Sequence, residues 1–148
     1  MKLYHFKVSP PSRCALMTAK NLDLDIEVKI VDFPGKEHFS DEFLKINPLH
    51  TIPVLVDDDL ILTESRAIAC YLCNLKPGCS LYPSDPKARA LVDLRLYYDA
   101  TVVYPSWYNN AVVSKRLFHC FINLLEILYF LECFNLQRSY NNFTRCTW

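Results

Sequence analysis

A strand, a helix and a second strand fit within the first 31 residues of this 148-residue chain, and no other feature narrows its fold as much. Leu3-Tyr4-His5-Phe6 reads as a short strand. Ser9-Pro10-Pro11-Ser12 then reads as a strand-to-helix junction, because Ser is a good helix cap and Pro is tolerated in a first helical turn. The helix runs on from Arg13 to Asn21. Residues 26–31 are β-branched and alternating, the pattern of a second strand. Such a crossover puts its two strands parallel.

Residues 34–50 read as irregular, with a short helical piece over 41–45. Thr51-Ile52-Pro53 is a turn that feeds a strand, Val54-Leu55-Val56-Asp57. Asp57-Asp58-Asp59 is acidic, yet Leu60-Ile61-Leu62 resumes as a strand, so the acids form a hairpin turn. A calcium site needs more oxygen ligands at set spacing. Residues 65–75 are helical, with Ile68, Leu72 and Leu75 on one face. Residues 76–86 hold three of the nine prolines and one of the two glycines, the composition of a linker. Asp85-Pro86 opens another helix, whose apolar stripe is Leu91, Leu94, Tyr98 and Val102 and which kinks or ends at Pro105.

The 37 residues 112–148 differ in composition, with no Ala, Gly, Pro, Asp or Met. Residues 117–134 are apolar enough to suggest a membrane span, but Asn123, Glu126 and Glu132 favour a water-soluble or interfacial helix. That helix carries two overlapping apolar stripes, and one packing partner covers only one of them. After Phe134 no periodicity remains. The expected architecture is an α/β thioredoxin-like N-terminal domain over 1–77, a linker over 78–86, and an incomplete all-α segment over 87–148.

Composition excludes several functions. Sixteen Lys and Arg balance sixteen Asp and Glu, so there is no electrostatic case for nucleic acid or an anionic membrane surface. Two glycines cannot make a Gly-rich phosphate loop. The N-terminal stretch is too short and too charged for a signal peptide, so the expected compartment is the reducing cytoplasm, where the seven cysteines stay thiols. Cys70-x-x-Cys73 has redox spacing but sits mid-helix; it reads as a pair of packing thiols, with a redox or metal pair as the alternative.

Thioredoxin-like domains hold thiols at two backbone features. One is the start of the first helix, whose N–H groups and dipole favour a thiolate. The other is a cis-proline turn whose backbone edge pairs with a peptide-like ligand. Here these are Ser9 and Ile52-Pro53. Ser9 and Ser12 stand where redox members carry their two cysteines, so a dithiol mechanism at that position is excluded.

The run Glu42-Phe43-Leu44-Lys45-Ile46-Asn47-Pro48-Leu49-His50-Thr51-Ile52-Pro53-Val54-Leu55-Val56-Asp57 resembles the glutathione-site segment of insect delta- and epsilon-class glutathione transferases. Leu62-Thr63-Glu64-Ser65-Arg66-Ala67-Ile68 resembles their second glutathione motif. Leu81-Tyr82-Pro83 and Arg89-Ala90-Leu91-Val92-Asp93-Leu94-Arg95-Leu96-Tyr97 resemble their linker and first C-domain helix. The resemblance covers about residues 1–110 and does not extend into 112–148.

It implies roles, each beside a plainer alternative. Ser9 hydrogen-bonds the glutathione sulfur and holds it as thiolate, or it is only a helix cap. Glu64 accepts from the γ-glutamyl ammonium and Ser65 donates to its carboxylate, or both serve only to cap a helix. Arg66 adds positive charge there, or is a solvated surface arginine. His38 and His50 face the glycyl carboxylate, or are structural. Ile52 pairs its backbone with the cysteinyl part, with Pro53 cis. Ser12 stands where delta-class members often carry Cys, and a small neutral residue there is expected to be harmless.

The implied function is conjugation of the glutathione thiolate to an electrophilic small molecule. Glutathione is a co-substrate, and no metal or other cofactor is expected. Nucleic acid and membrane are not expected partners. A homodimer is, weakened by the short C-terminal segment. The alternative function is a catalytically weak or inactive truncated isoform acting as a glutathione-binding or interaction module.

Overall fold

A computed structural model describes residues 1–109. The expected helix over 117–134 and the segment after Phe134 lie outside the described residues. The chain divides into two compact units, Met1–Pro77 and a second beginning at Gly78.

The first unit is a four-stranded mixed sheet with helices on both faces. Its elements are β1 (Lys2–His5), α1 (Pro10–Asn21), β2 (Glu27–Ile30), a 3₁₀ turn (Glu37–Phe39), α2 (Asp41–Ile46), β3 (Val54–Asp57), β4 (Leu60–Leu62) and α3 (Ser65–Leu75). The strand order is β2-β1-β3-β4. β2 runs parallel to β1 as the crossover requires, while β3 and β4 are antiparallel to their neighbours.

Strand alternation assigns the two faces. Tyr4, Val54 and Val56 point to the side of α2 and pack with Val31 and Phe43, joined by Ile46 and Ile52. Tyr4 meets Phe43 edge-on, with ring centroids 5.8 Å apart. Leu3 and Leu55, both fully buried, point the other way, where α1 and α3 pack against each other. The seam between those helices uses small residues, Ala15 and Ala19 on α1 and Ala69 and Cys73 on α3, with Ile68 and Leu72 as the large members. Each large side chain buried this way contributes about 1.5–3 kcal/mol.

Two expectations about apolar faces need correction. β2 is an edge strand with all four residues exposed, so its alternation does not mark a buried face. Its Lys29 instead pairs with Glu37 at 3.2 Å. On α3 the stripe ends early: Leu75 is 41% exposed, and the buried set is Ile68, Ala69, Leu72 and Cys73. Leu75 is the helix's last residue, where the chain already turns away toward Lys76. Lys76 closes this unit by donating to the Leu22 carbonyl at 2.7 Å.

The β3–β4 hairpin turns at Asp58 and Asp59, with Asp58 in the left-handed region that Asp tolerates. Asp57 accepts a 2.6 Å bond from the Tyr71 hydroxyl, which ties the hairpin to α3.

The second unit opens with Asp85, whose carboxylate accepts from the Ala88 N–H at 2.8 Å and caps α4 (Pro86–Tyr98). Tyr82 and Arg89 brace that start: Tyr82 donates to Asp93, and Arg89 donates to the Pro83 carbonyl and lies 4.4 Å from the Tyr82 ring centre. The buried line of α4 is Val92 and Leu96, continued by Asp99, and not the stripe of Leu91, Leu94, Tyr98 and Val102, all of which are exposed. Apolar residues occupy both faces, so periodicity alone could not choose between them. Wide π-type turns over Asp99–Val103 then lead into α5 (Tyr104–Tyr108). Pro105 lacks the N–H that a regular turn would send back to Thr101, so the ladder is interrupted as expected, by widening rather than by an end.

Candidate active site

The register of the sheet gathers the candidate residues at one end. His5 pairs with Ile30 and Tyr4 with Val54, so β1 and β2 leave the sheet where β3 enters it. Leu55 pairs with Leu62, so β4 leaves at that end too. The connections carrying Ser9, His38, His50, Ile52-Pro53 and Glu64-Ser65 therefore share one rim. The acidic hairpin turn sits at the opposite end.

Ser9 is the N-cap of α1, and its Oγ accepts from the Ser12 N–H at 3.4 Å. The next two residues are prolines with no N–H to offer. The Arg13 N–H already goes to the Ser9 carbonyl at 3.0 Å. The first turn thus presents no open backbone N–H to a ligand, which corrects the expectation that such groups serve a thiolate here. What remains is the Ser9 hydroxyl proton and the helix dipole. A hydroxyl can accept one bond and donate another. Capping and thiol activation are therefore compatible at Ser9, not rival roles.

The Ile52–Pro53 peptide is cis. Pro53 is fully buried, and Ile52 packs on the Val31–Phe43–Val54 cluster. Its anchoring depends on Asn47, which the sequence reading passed over. Asn47 is 1% exposed. Its amide donates to the Thr51 carbonyl at 2.9 Å and hydroxyl at 3.1 Å, and its Oδ1 accepts from the Leu49 N–H at 3.1 Å. One side chain thus folds the whole 47–51 loop and sets His50, whose φ of 47° is left-handed. The Asn-Pro pair was the available signal.

His38 and His50 come together, with ring centroids 6.4 Å apart and Phe39 between them at 4.2 Å and 4.6 Å. His38 is buried and stacks flat on Phe33 at 3.8 Å, and Phe33 stacks on Phe6. Burial first, and then repulsion from His50 and Lys36, pushes the His38 imidazole below its ordinary range. Its Nδ1 is buried without a partner. His50 is exposed. The loop ahead of His38 is held by Glu37, whose carboxylate accepts a 2.7 Å bond from the Asp32 N–H. That bond first, and Lys29 second, holds the Glu37 carboxyl below its usual range. Gly35 donates to Asp32 at 2.9 Å and comes so close that a Cβ would meet that carboxylate.

Glu64 is the N-cap residue of α3 by backbone geometry, but its side chain makes no capping bond. Its carboxylate is exposed, and the capping alternative raised for it does not hold. Ser65 is buried at the first helical position, and Arg66 follows, half-buried. The rim thus joins a hydroxyl, a cis-proline turn, a carboxylate beside a helix start, and an imidazole pair. Among the described residues no cluster of three or more His, Cys, Asp or Glu could hold a metal ion. No described helix is long and apolar enough to cross a membrane.

Residues 3–80 match the family of the glutathione S-transferase N-terminal domain. Glutathione S-transferase D7 of Drosophila melanogaster is 44% identical over 106 residues, covering 70% of this chain and 47% of its own. Glutathione S-transferase 1 of Manduca sexta is 45% identical over 109 residues, covering 72% and 50%. The chain therefore spans about half the length of the curated relatives it matches. Among solved structures, a delta-class glutathione transferase of Nilaparvata lugens superposes with a TM-score of 0.70 at 41% identity, over 73% of this chain and 51% of that one.

Proposed function

The chain belongs to the glutathione S-transferase family through this N-terminal domain, on the side of the insect delta and epsilon classes, and from that membership we propose that it binds glutathione and conjugates its thiolate to electrophilic small molecules. The observation that carries the reading is the gathering of Ser9, Pro53, Ser65 and the His38–His50 pair on one rim of the sheet.

In this reading the Ser9 hydroxyl donates to the sulfur and lowers the thiol's pKa from about 8.5. Ile52 offers its backbone to the cysteinyl unit beside Pro53. Glu64 accepts from the γ-glutamyl ammonium, and Ser65, with its helix-start N–H, and Arg66 take the α-carboxylate. His38 and His50 meet the glycyl carboxylate. The thiolate then forms a sulfur–carbon bond with the electrophile, and the displaced electron pair goes to the leaving group or to the acceptor atom.

Residues 1–77 are the glutathione-binding domain in this proposal, 78–86 the linker and 87–148 the C-terminal segment. Glutathione is a co-substrate and no cofactor takes part. The compartment is the cytoplasm, and the assembly is a homodimer. Retention of the purified chain on immobilised glutathione, together with conjugation of a chromogenic electrophile, tests the proposal. Retention without turnover supports the second reading, a glutathione-binding module. Failure of retention refutes both.

A further inference from the structure

Ser12 is fully buried and bonded in two directions. Its N–H donates to Ser9 Oγ at 3.4 Å. Its own Oγ accepts from the Phe6 N–H, also at 3.4 Å. The first of these bonds joins α1 to its own cap, and the second joins α1 to the end of β1. The neighbouring His5 on β1 is buried, and its Nδ1 has no hydrogen-bond partner.

Phe6 lies one residue past β1, so the strand ladder does not claim its N–H. A buried donor left unpaired there is costly, and Ser12 supplies the acceptor. With Pro10 and Pro11 ahead of it, Ser12 is also the first residue of α1 able to donate a backbone N–H. That N–H occupies the acceptor side of the Ser9 hydroxyl, which leaves its one proton to point outward. It also polarises the O–H bond, strengthening what the hydroxyl donates.

We propose that Ser12 is a positioning residue for the conjugation reaction: pinned to the end of β1 by the Phe6 N–H, it fixes the Ser9 hydroxyl so that its proton is aimed at the glutathione sulfur. This rests on the functional reading above, and it replaces the expectation that any small neutral residue is harmless at this position. Ser12 touches no substrate and acts through Ser9. A second contact extends its reach, because the Phe6 ring it helps hold is stacked on Phe33, and Phe33 on His38.

The test uses the full chain and its Ser12→Ala and Ser12→Cys variants. Calorimetry gives the glutathione Kd, thiolate absorbance against pH gives the pKa of the bound thiol, and a thermal melt reports folding. Losing part of one hydrogen bond to a charged group predicts a rise of about half to one pH unit in the bound thiol's pKa for Ser12→Ala. The Kd should stay within about threefold, because the contacts to the peptide backbone and both ends of glutathione remain. Ser12→Cys, whose sulfur accepts weakly, should rise less. If Ser12→Ala does not fold, a rise in Ser12→Cys supports the proposal. A wild-type pKa in every variant that folds overturns it, whatever happens to the melting temperature, and leaves Ser12 a structural residue only. A wild-type chain that binds no glutathione overturns the functional reading itself, an outcome distinct from a failed Ser12 series on a chain that does bind.

Discussion

Replacing Ser9 by Ala separates two contributions that meet at one hydroxyl. As a cap, Ser9 accepts a single long bond of 3.4 Å from Ser12 at a half-buried site. Its loss belongs at the weak end of the capping range, about 0.5–1 kcal/mol of stability. As a donor to a thiolate, the same hydroxyl makes a charge-assisted bond of about 1.5–3 kcal/mol, or roughly one to two units of thiol pKa. The substitution also releases the Ser12 N–H, which can turn toward the sulfur and restore part of that bond. The expected result is therefore a pKa rise near the low end, about one unit. Thiolate absorbance of the complex, followed against pH in wild type and Ser9→Ala, measures it directly. Calorimetry should show a much smaller change in glutathione affinity, since Ser9 contributes one contact among several. An unchanged thiol pKa in Ser9→Ala refutes the reasoning and assigns activation to the helix dipole alone.

Other outcomes follow from the same geometry. Glu64→Gln should weaken glutathione binding roughly 10- to 100-fold through loss of a charged acceptor, while the melting temperature barely moves, because the Glu64 side chain caps nothing. Burial depresses both His5 and His38 below the ordinary histidine value of 6.5. Above that value both are neutral whether the chain is folded or not; below it the unfolded chain takes up protons first. Stability should be full above about pH 6.5 and fall as the pH drops through the depressed values, and His38→Phe should flatten the fall in a melt series. Ile68→Ala, at a fully buried site, should cost about 2–5 kcal/mol in urea unfolding, whereas Leu75→Ala, at an exposed helix end, should cost less than about 1 kcal/mol.

The local signals that were legible are those written in the backbone. Pro10, Pro11 and Ser9 mark the start of α1, α3 follows from the period of Ile68, Leu72 and Leu75, and the hairpin at Asp58 follows from its turn residues. What was not legible depends on which neighbour arrives. β2 alternates like a half-buried strand, but its place at the sheet edge is set by the order of the other three. On α4 the choice between the Leu91 and Val92 faces lies in packing that no period encodes. At the site, the residue types could be named from the motifs, and the rim that unites them follows from the register. Asn47 was missed, and Ser12 was named but expected to be harmless, for one reason: each makes hydrogen bonds to the backbone of other segments, which sequence spacing does not display.

The central claim is that glutathione occupies the rim formed by the ends of β1 and β4 and the start of β3. Backbone amide shifts of the isotope-labelled chain, followed by NMR during a glutathione titration, test it residue by residue. Saturable shifts are expected at Ser9, Ser12, Ile52, Glu64, Ser65 and Arg66, with smaller ones at His38 and His50 and none at Asp58 and Asp59 on the opposite end of the sheet. Saturable shifts confined to the hairpin end, or no shifts at all, would contradict it.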